Sequence, residues 1–266
     1  MNNWKDKFPE ENRYFETKKG ILYCGDCLEI MKKFPKENID LVVTSPPYNI
    51  KVDYGVYKDD LSPKKYFNML KRFTTLMKRT LKSDGRFAIN LLLNVNMKHI
   101  GKTYRSSPVS EFYNILKEVG LGFHTIVILD EDTPHRVKYT AWGSWLSPSS
   151  PYIYCPLETM IIGYNKEWRK SRKGISDITK EEFIELVNGI WKYRAETKKY
   201  TNANFSKDIP YKAIKILSYI EDIILDPFVG SGTTAVVAER LNRRWIGIEI
   251  NPKYCEVAKQ RILEGK

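Results

Sequence analysis

The 266-residue chain is 42% hydrophobic and carries 44 lysines and arginines against 32 acids, a formal net charge of +12. That balance excludes global disorder, and the length can bury the core of one α/β domain with elaborations or one domain plus a small insert. No apolar run approaches the roughly 18–20 residues of a membrane span, and the opening "MNNWKDKFPEENRYFETKKG" lacks a secretory apolar core, so a soluble, cytoplasmic protein is expected.

Short β-like runs alternate with helix-like ones along the chain, the pattern of an α/β fold with a largely parallel sheet. "ILYCGD" (21–26) predicts a strand and "CLEIMKKF" (27–34) a short helix. The continuous apolar run "IDLVVTS" (39–45) predicts a strand covered on both faces, and it leads straight into "PPYNI". After a polar, Tyr- and Gly-containing loop, Tyr66, Met69, Leu70, Phe73, Leu76 and Met77 repeat at helical spacing over 63–81, with Pro63 at the start. Strands are expected over 85–94, 123–129 and 158–166, and a helix over 110–120 closed by Gly120. The stretch 178–200 predicts a helix with a basic, aromatic tail. Regular alternation then resumes with a helix (208–220), a strand and Gly-rich turn (223–232), a helix (233–242), a strand (244–250) and a closing helix (252–263).

Cys24, Cys27, Cys155 and Cys255 make no disulfide framework. The Cys24/Cys27 pair has neither a second pair nor a nearby histidine to complete a zinc set, so no metal is expected. The basic excess points to a polyanionic partner, most often nucleic acid; a lysine-rich solubilising surface is the plainer alternative. The Trp-, Tyr-, Ser- and Pro-rich stretch that holds Trp142 and Trp145 is loop-like.

"LDPFVGSGTT" joins an apolar strand to a helix through Gly230 and Gly232, which allow a tight turn and close approach of a ligand. Glu249 ends the next strand, where a carboxylate can accept the hydroxyl hydrogens of a ribose; together these features imply a nucleoside-bearing cofactor. The missing third glycine and the position late in the chain both count against a nicotinamide dinucleotide.

These residues resemble the motifs of amino-group DNA methyltransferases. "DPFVGSGTT" is similar to their S-adenosylmethionine-binding motif, and "TSPPY" to their catalytic tetrapeptide. The catalytic motif precedes the cofactor motif, the circularly permuted order of the β class. "GDCLEIMKKFPKENIDLVVTSPPYNI" and "LDPFVGSGTTAVVAERLNRRWIGIEINPKYCEVAKQRI" resemble that class nearly throughout. The resemblance implies a Rossmann-like, seven-stranded methyltransferase sheet with an inserted DNA-recognition region. The catalytic part would span 1–135, the target-recognition insert 136–205 and the cofactor-binding part 206–266.

By position, the resemblance implies that Asp26 and Cys27 lie near the adenine of S-adenosyl-L-methionine and Glu249 on its ribose. Asp226, Phe228, Gly230, Gly232, Thr233 and Thr234 belong to the motif around the methionine part, and Phe205 to a further cofactor motif. Ser45, Pro46, Pro47 and Tyr48 form the catalytic set. A base amino group is a poor nucleophile because its lone pair is delocalised into the ring. Ser45 Oγ and the Pro46 carbonyl can accept its two hydrogens, the prolines hold the turn rigid, and Tyr48 offers a stacking face worth ~1–3 kcal/mol. The target base must leave the duplex to reach such a pocket. Lys51, Arg169, Lys170, Arg172, Lys173, Arg194, Lys198 and Lys199 are the candidate DNA-phosphate contacts. Serine in first position resembles the N4-cytosine enzymes, with N6-adenine as the alternative. Further alternatives are an RNA or protein N-methyltransferase and a non-catalytic DNA-binding regulator. The expected partner is double-stranded DNA, with a cognate restriction endonuclease acting independently; the protein itself would be a monomer or homodimer.

Overall fold

The computed structural model describes residues 3–99, 102–131, 157–196, 200 and 205–265. After a 3-10 turn at Trp4–Lys7 come β1 (Arg13–Glu16), β2 (Gly20–Cys24), α1 (Cys27–Lys32) and β3 (Ile39–Thr44). Helix α2 (Pro63–Thr80) runs directly into β4 (Leu81–Leu92), followed by the hairpin β5 (Val95–His99) and β6 (Lys102–Ser106). Next are α3 (Pro108–Val119), β7 (Gly122–Glu131), β8 (Glu158–Tyr164), α4 (Lys180–Leu186) and β9 (Ile190–Tyr193). The last part holds α5 (Asp208–Leu217), β10 (Ile223–Asp226), α6 (Thr233–Arg240), β11 (Arg244–Glu249) and α7 (Pro252–Glu264).

One large sheet has the order β1-β2-β11-β10-β3-β4-β8-β7-β9. From β2 to β4 every neighbour is parallel; β8 is antiparallel to both β4 and β7. Among the described residues this sheet has nine strands rather than the expected seven, because the short β1 and β9 extend its two edges. Side chains alternate across the sheet, so each apolar strand feeds two cores. Ile21, Val42, Phe87 and Leu225 pack with α1, α2 and α3, whereas Leu22, Leu41, Ala88 and Ile224 pack with α5, α6 and α7. A sheet sandwiched between helices needs apolar residues at both parities, which explains the uninterrupted runs in the sequence.

Helix α3 stops at Gly120, whose φ of 75° is the left-handed conformation that glycine adopts without strain. The expected helix within 178–200 is shorter than its pattern, and its aromatic tail is a strand. Thr179 and Glu182 form a reciprocal cap at its start, and the chain leaves the helix before Asn188 and Gly189. Trp191 is then buried in β9, its indole N–H donating to the Leu186 carbonyl at 3.0 Å. Cys155 and the stretch holding Trp142 and Trp145 lie outside the described residues.

Candidate active site

Strands β3 and β10 are parallel neighbours whose following helices, α2 and α6, pack on opposite faces of the sheet. Such a switch point opens a crevice at the carboxyl ends of the strands. A cavity of about 460 Å³ lies there, within the range of small-ligand sites, and the DPFVG and SPPY segments both line it.

On the β10 side, Asp226 is buried at the strand end. Its carboxylate accepts from the Thr44 hydroxyl and from the Phe228 N–H at 3.1 Å. Burial pushes this carboxyl up to about 6 against the opposing effect of the Thr234 and Thr44 hydroxyls. Glu249, at the end of β11, holds the glycine turn from beside it: its two oxygens accept from the N–H groups of Gly230 at 3.0 Å and Asn251 at 2.8 Å. Burial raises its carboxyl too, partly offset by those N–H groups. Each oxygen keeps a second lone pair for the cavity. Gly230 has φ 52°, and a Cβ there would find no atom nearer than the Phe228 carbonyl at 4.0 Å, so the turn leaves open space for a ligand.

Gly232 does different work. A Cβ on it would sit 2.9 Å from Ala258 Cβ, so its absence lets the start of α6 pack against α7. Gly232 and Thr234 lie behind the cavity wall, while Phe228, Gly230 and Thr233 line it. The Thr233 hydroxyl accepts from buried Arg261 at 2.9 Å. Across the cavity, Asp26 caps α1 by accepting from the Leu28 N–H at 2.8 Å, and Cys27 is buried, which raises its thiol. Phe205 also lines the cavity. Acidic Glu249, the open glycine turn and the apolar flank of Phe228 and Ile250 fit the ribose, backbone and thioether parts of an S-adenosylmethionine-sized molecule.

On the β3 side, Ser45 donates to the Tyr48 hydroxyl at 3.0 Å. Tyr48 is in turn held by Asn90 Oδ1 at 2.6 Å and Glu158 Oε2 at 3.0 Å. Burial and the neighbouring Glu158 carboxyl push the Tyr48 hydroxyl well above its usual range. Because Ser45 gives its only hydrogen to Tyr48, its lone pairs are left for an incoming donor. The chain after Tyr48 is pinned by Asp59, whose carboxylate accepts from the backbone of Asn49 (2.8 Å), Ile50 (2.9 Å) and Val52 (3.1 Å). This loop brings Tyr54 and Tyr57 over the cavity.

Sequence reasoning missed Asn90, Glu158, Tyr54 and Tyr57. A lone acid opening the otherwise apolar strand "ETMIIG" was the available signal for Glu158. The antiparallel course of β8 puts that first residue at the carboxyl ends of the parallel strands.

The basic residues divide. Lys51, Arg169, Lys173 and Arg194 are exposed, and Lys198 and Lys199 lie outside the described residues. Lys170 is buried 3.9 Å from Asp222, and Arg172 pairs with Asp222 and, at 3.7 Å, with Asp40. Asp40 and Asp222 sit at the amino ends of β3 and β10, a strand length away from the cavity.

A family model described as DNA methylase, of the N6/N4 methyltransferase kind, matches residues 39–260. The chain belongs to this family. It is a DNA methyltransferase of the N4/N6 amino-methyltransferase group. It is 41% identical over 165 residues to the type II methyltransferase M.MjaVI of Methanocaldococcus jannaschii, covering 62% of this chain and 81% of the relative. A Thermus thermophilus protein solved in complex with S-adenosyl-L-methionine superposes with a TM-score of 0.72 at 25% identity, covering 92% of this chain and 93% of that one. The PvuII DNA methyltransferase, cytosine-N4-specific, has the same fold, with a TM-score of 0.72 at 24% identity and 97% of each chain covered. The methylase therefore presents its two sequence motifs on either side of one crevice.

Proposed function

We propose that the protein is a site-specific, S-adenosyl-L-methionine-dependent methyltransferase acting on the exocyclic N4 of cytosine in duplex DNA, within a restriction-modification system. The observation that carries this reading is the Ser45–Tyr48 hydrogen bond at the mouth shared with the FVGSG turn. Glu249, Phe228 and the Gly230 turn hold the cofactor, with Asp26 and Cys27 on the adenine side and Phe205 beside them. When bound, S-adenosyl-L-methionine supplies the methyl group on a sulfonium, a ready-made leaving group. Ser45 Oγ and the Pro46 carbonyl accept the amino hydrogens and aim the nitrogen lone pair, so catalysis is mainly positioning for in-line transfer. Pro47 keeps the turn rigid, and Tyr48, held through its hydroxyl, presents a fixed face for the base. Stacking there returns part of the few kcal/mol needed to take the base out of the duplex.

Exposed Lys51, Arg169, Lys173 and Arg194, with Lys198 and Lys199, are the cations this reading assigns to DNA phosphates. Lys170 and Arg172 are left out because their acidic partners occupy them. Serine at position 45 supports cytosine over adenine by resemblance to the N4 enzymes. Incubation with DNA and labelled cofactor, followed by mass spectrometry of the nucleosides, is expected to yield N4-methylcytosine. Only N6-methyladenine would overturn the cytosine assignment, and no labelled nucleoside from any DNA would overturn the enzyme.

A further inference from the structure

Methylation of an amino group leaves a proton over, and the cavity is lined by a half-buried acid that takes no part in holding the cofactor or the base. Glu158 opens β8, and its carboxyl lies against the Tyr48 hydroxyl with no cationic partner among the described residues. A carboxyl drawn out of water without a cation is costly, and a glutamine could fill the same space and bond the same hydroxyl. The atoms around it form a file: Ser45 Oγ to Tyr48 Oη at 3.0 Å, then Tyr48 Oη to Glu158 Oε2 at 3.0 Å. Asn90 gives its N–H to the Thr159 carbonyl at 3.1 Å, which turns its oxygen toward Tyr48 at 2.6 Å.

Resting on the methyltransferase reading above, we propose that Glu158 is the terminal proton acceptor of the reaction, reached from the target amine through the hydroxyls of Ser45 and Tyr48. The balance is simple. The nitrogen lone pair forms the new bond to carbon, and the pair of the broken carbon–sulfur bond stays on sulfur. The surplus proton on nitrogen passes to Ser45 Oγ as the Ser45 proton passes to Tyr48 Oη and the Tyr48 proton to Glu158 Oε2. No group is oxidised or reduced. Asn90 makes the end state stable: once Glu158 is protonated it donates to Tyr48 Oη, and the Tyr48 hydrogen turns to Asn90 Oδ1. With Glu158 ionised the single Tyr48 hydrogen must serve two acceptors, Asn90 Oδ1 and Glu158 Oε2; with Glu158 protonated each of these contacts has a hydrogen of its own.

Among the described residues, the titratable groups facing Glu158 are Tyr48 from the turn after β3 and Glu131 from the end of β7. Asn90 of β4 completes the surround, and Tyr54 faces Tyr48 from the loop. Burial and Glu131 raise the Glu158 carboxyl above the ordinary range, while Asn90 and Tyr48 favour its charged form, which makes it a better base than an exposed acid. Glu158 acts through Tyr48, so it is a positioning and proton-accepting residue.

The test compares wild type with Glu158→Gln and Tyr48→Phe in single-turnover methyl transfer across pH, with cofactor binding followed by calorimetry. Wild type should gain rate as pH rises through one ionisation, since only the carboxylate can take the proton. Glu158→Gln should lose that limb, fall about 100-fold in rate and lose the solvent deuterium isotope effect, with cofactor affinity kept. Tyr48→Phe should lose the same limb, because it cuts the file while leaving the acid. Infrared difference spectra should show a carboxylic acid titrating in wild type and missing in Glu158→Gln, whether or not DNA is turned over. A slower Glu158→Gln enzyme that keeps the wild-type pH limb and isotope effect, or a Tyr48→Phe enzyme that keeps the limb, would overturn the relay. Wild type that transfers methyl to no DNA would instead overturn the functional reading, and the infrared titration would still report on Glu158.

Discussion

The two ends of the sheet treat buried acids in opposite ways. At the amino ends, Asp40 is held by Lys82 at 2.7 Å and Asp222 by Lys170 and Arg172. Nearby, burial would push the Asp84 carboxyl up, but the Ser171 hydroxyl and N–H, with Lys170 and Lys82, outweigh it and hold it low. At the carboxyl ends, the hydrogen-bond partners of buried Asp226 and Glu249 and of half-buried Glu158 are, among the described residues, N–H groups, hydroxyls and an amide, and loss of solvent raises all three carboxyls. The lesson is about reading charge: acids matched by cations belong to the scaffold, whereas buried acids left to neutral donors gather where a ligand arrives.

That contrast can be broken or sharpened experimentally. The largest effect is expected at Ser45. Ser45→Ala should lower methyl transfer about 100- to 1,000-fold, comparable to losing one aligned polar group of a reaction centre, while cofactor affinity measured by calorimetry stays near wild type. Equal loss of both would erase the division between the two walls of the crevice. Next comes Lys170→Ala, which leaves Asp222 short of a partner and should cost about 2–3 kcal/mol in urea denaturation. The same variant should bind duplex DNA with an unchanged salt slope, since its ammonium is already committed; a flatter slope would return Lys170 to the interface.

Glu249→Ala should weaken cofactor binding by ~2 kcal/mol, about 30-fold, through lost ribose acceptors and a loosened Gly230 turn. Loss of fold stability without loss of affinity would make Glu249 a scaffold residue after all. The last effect concerns pH. Asp226 is raised from 3.8 to about 6 in the folded protein, so the folded state keeps a proton that the unfolded chain has already released. Stability of the cofactor-free protein should therefore fall as pH rises through that window. Asp226→Asn should remove that slope and stabilise the protein near neutrality by ~1–3 kcal/mol. A retained slope would show that this acid is not the one titrating.

Most of what positions the site could be read directly along the chain. The runs 39–44 and 223–226 announce buried parallel strands because sandwiching a sheet demands apolar residues at both parities. "TSPPY" and "DPFVGSG" hold their candidate residues in consecutive positions, so local order was enough to mark Ser45, Tyr48, Gly230 and, one strand later, Glu249 as candidates, and all four line one cavity. Short edge strands such as β1 escaped because Arg-Tyr-Phe-Glu, two aromatics between two charges, shows no strand period in four residues. Gly232 was legible as a required glycine but not as a packing one, since Ala258 lies on another helix.

What tertiary structure alone decided was pairing between residues far apart in sequence. Lys170 and Arg172 read as part of a basic cluster, yet Asp40 and Asp222, roughly 130 and 50 positions away, neutralise them at the far end of the sheet. Glu158 read as the first residue of a strand, and only the antiparallel return of β8 set its carboxyl against a hydroxyl 110 positions earlier. A charge in a sequence announces its type but not its partner. Burial and pairing, which decide whether it holds a scaffold together or waits for a substrate, are set by the fold.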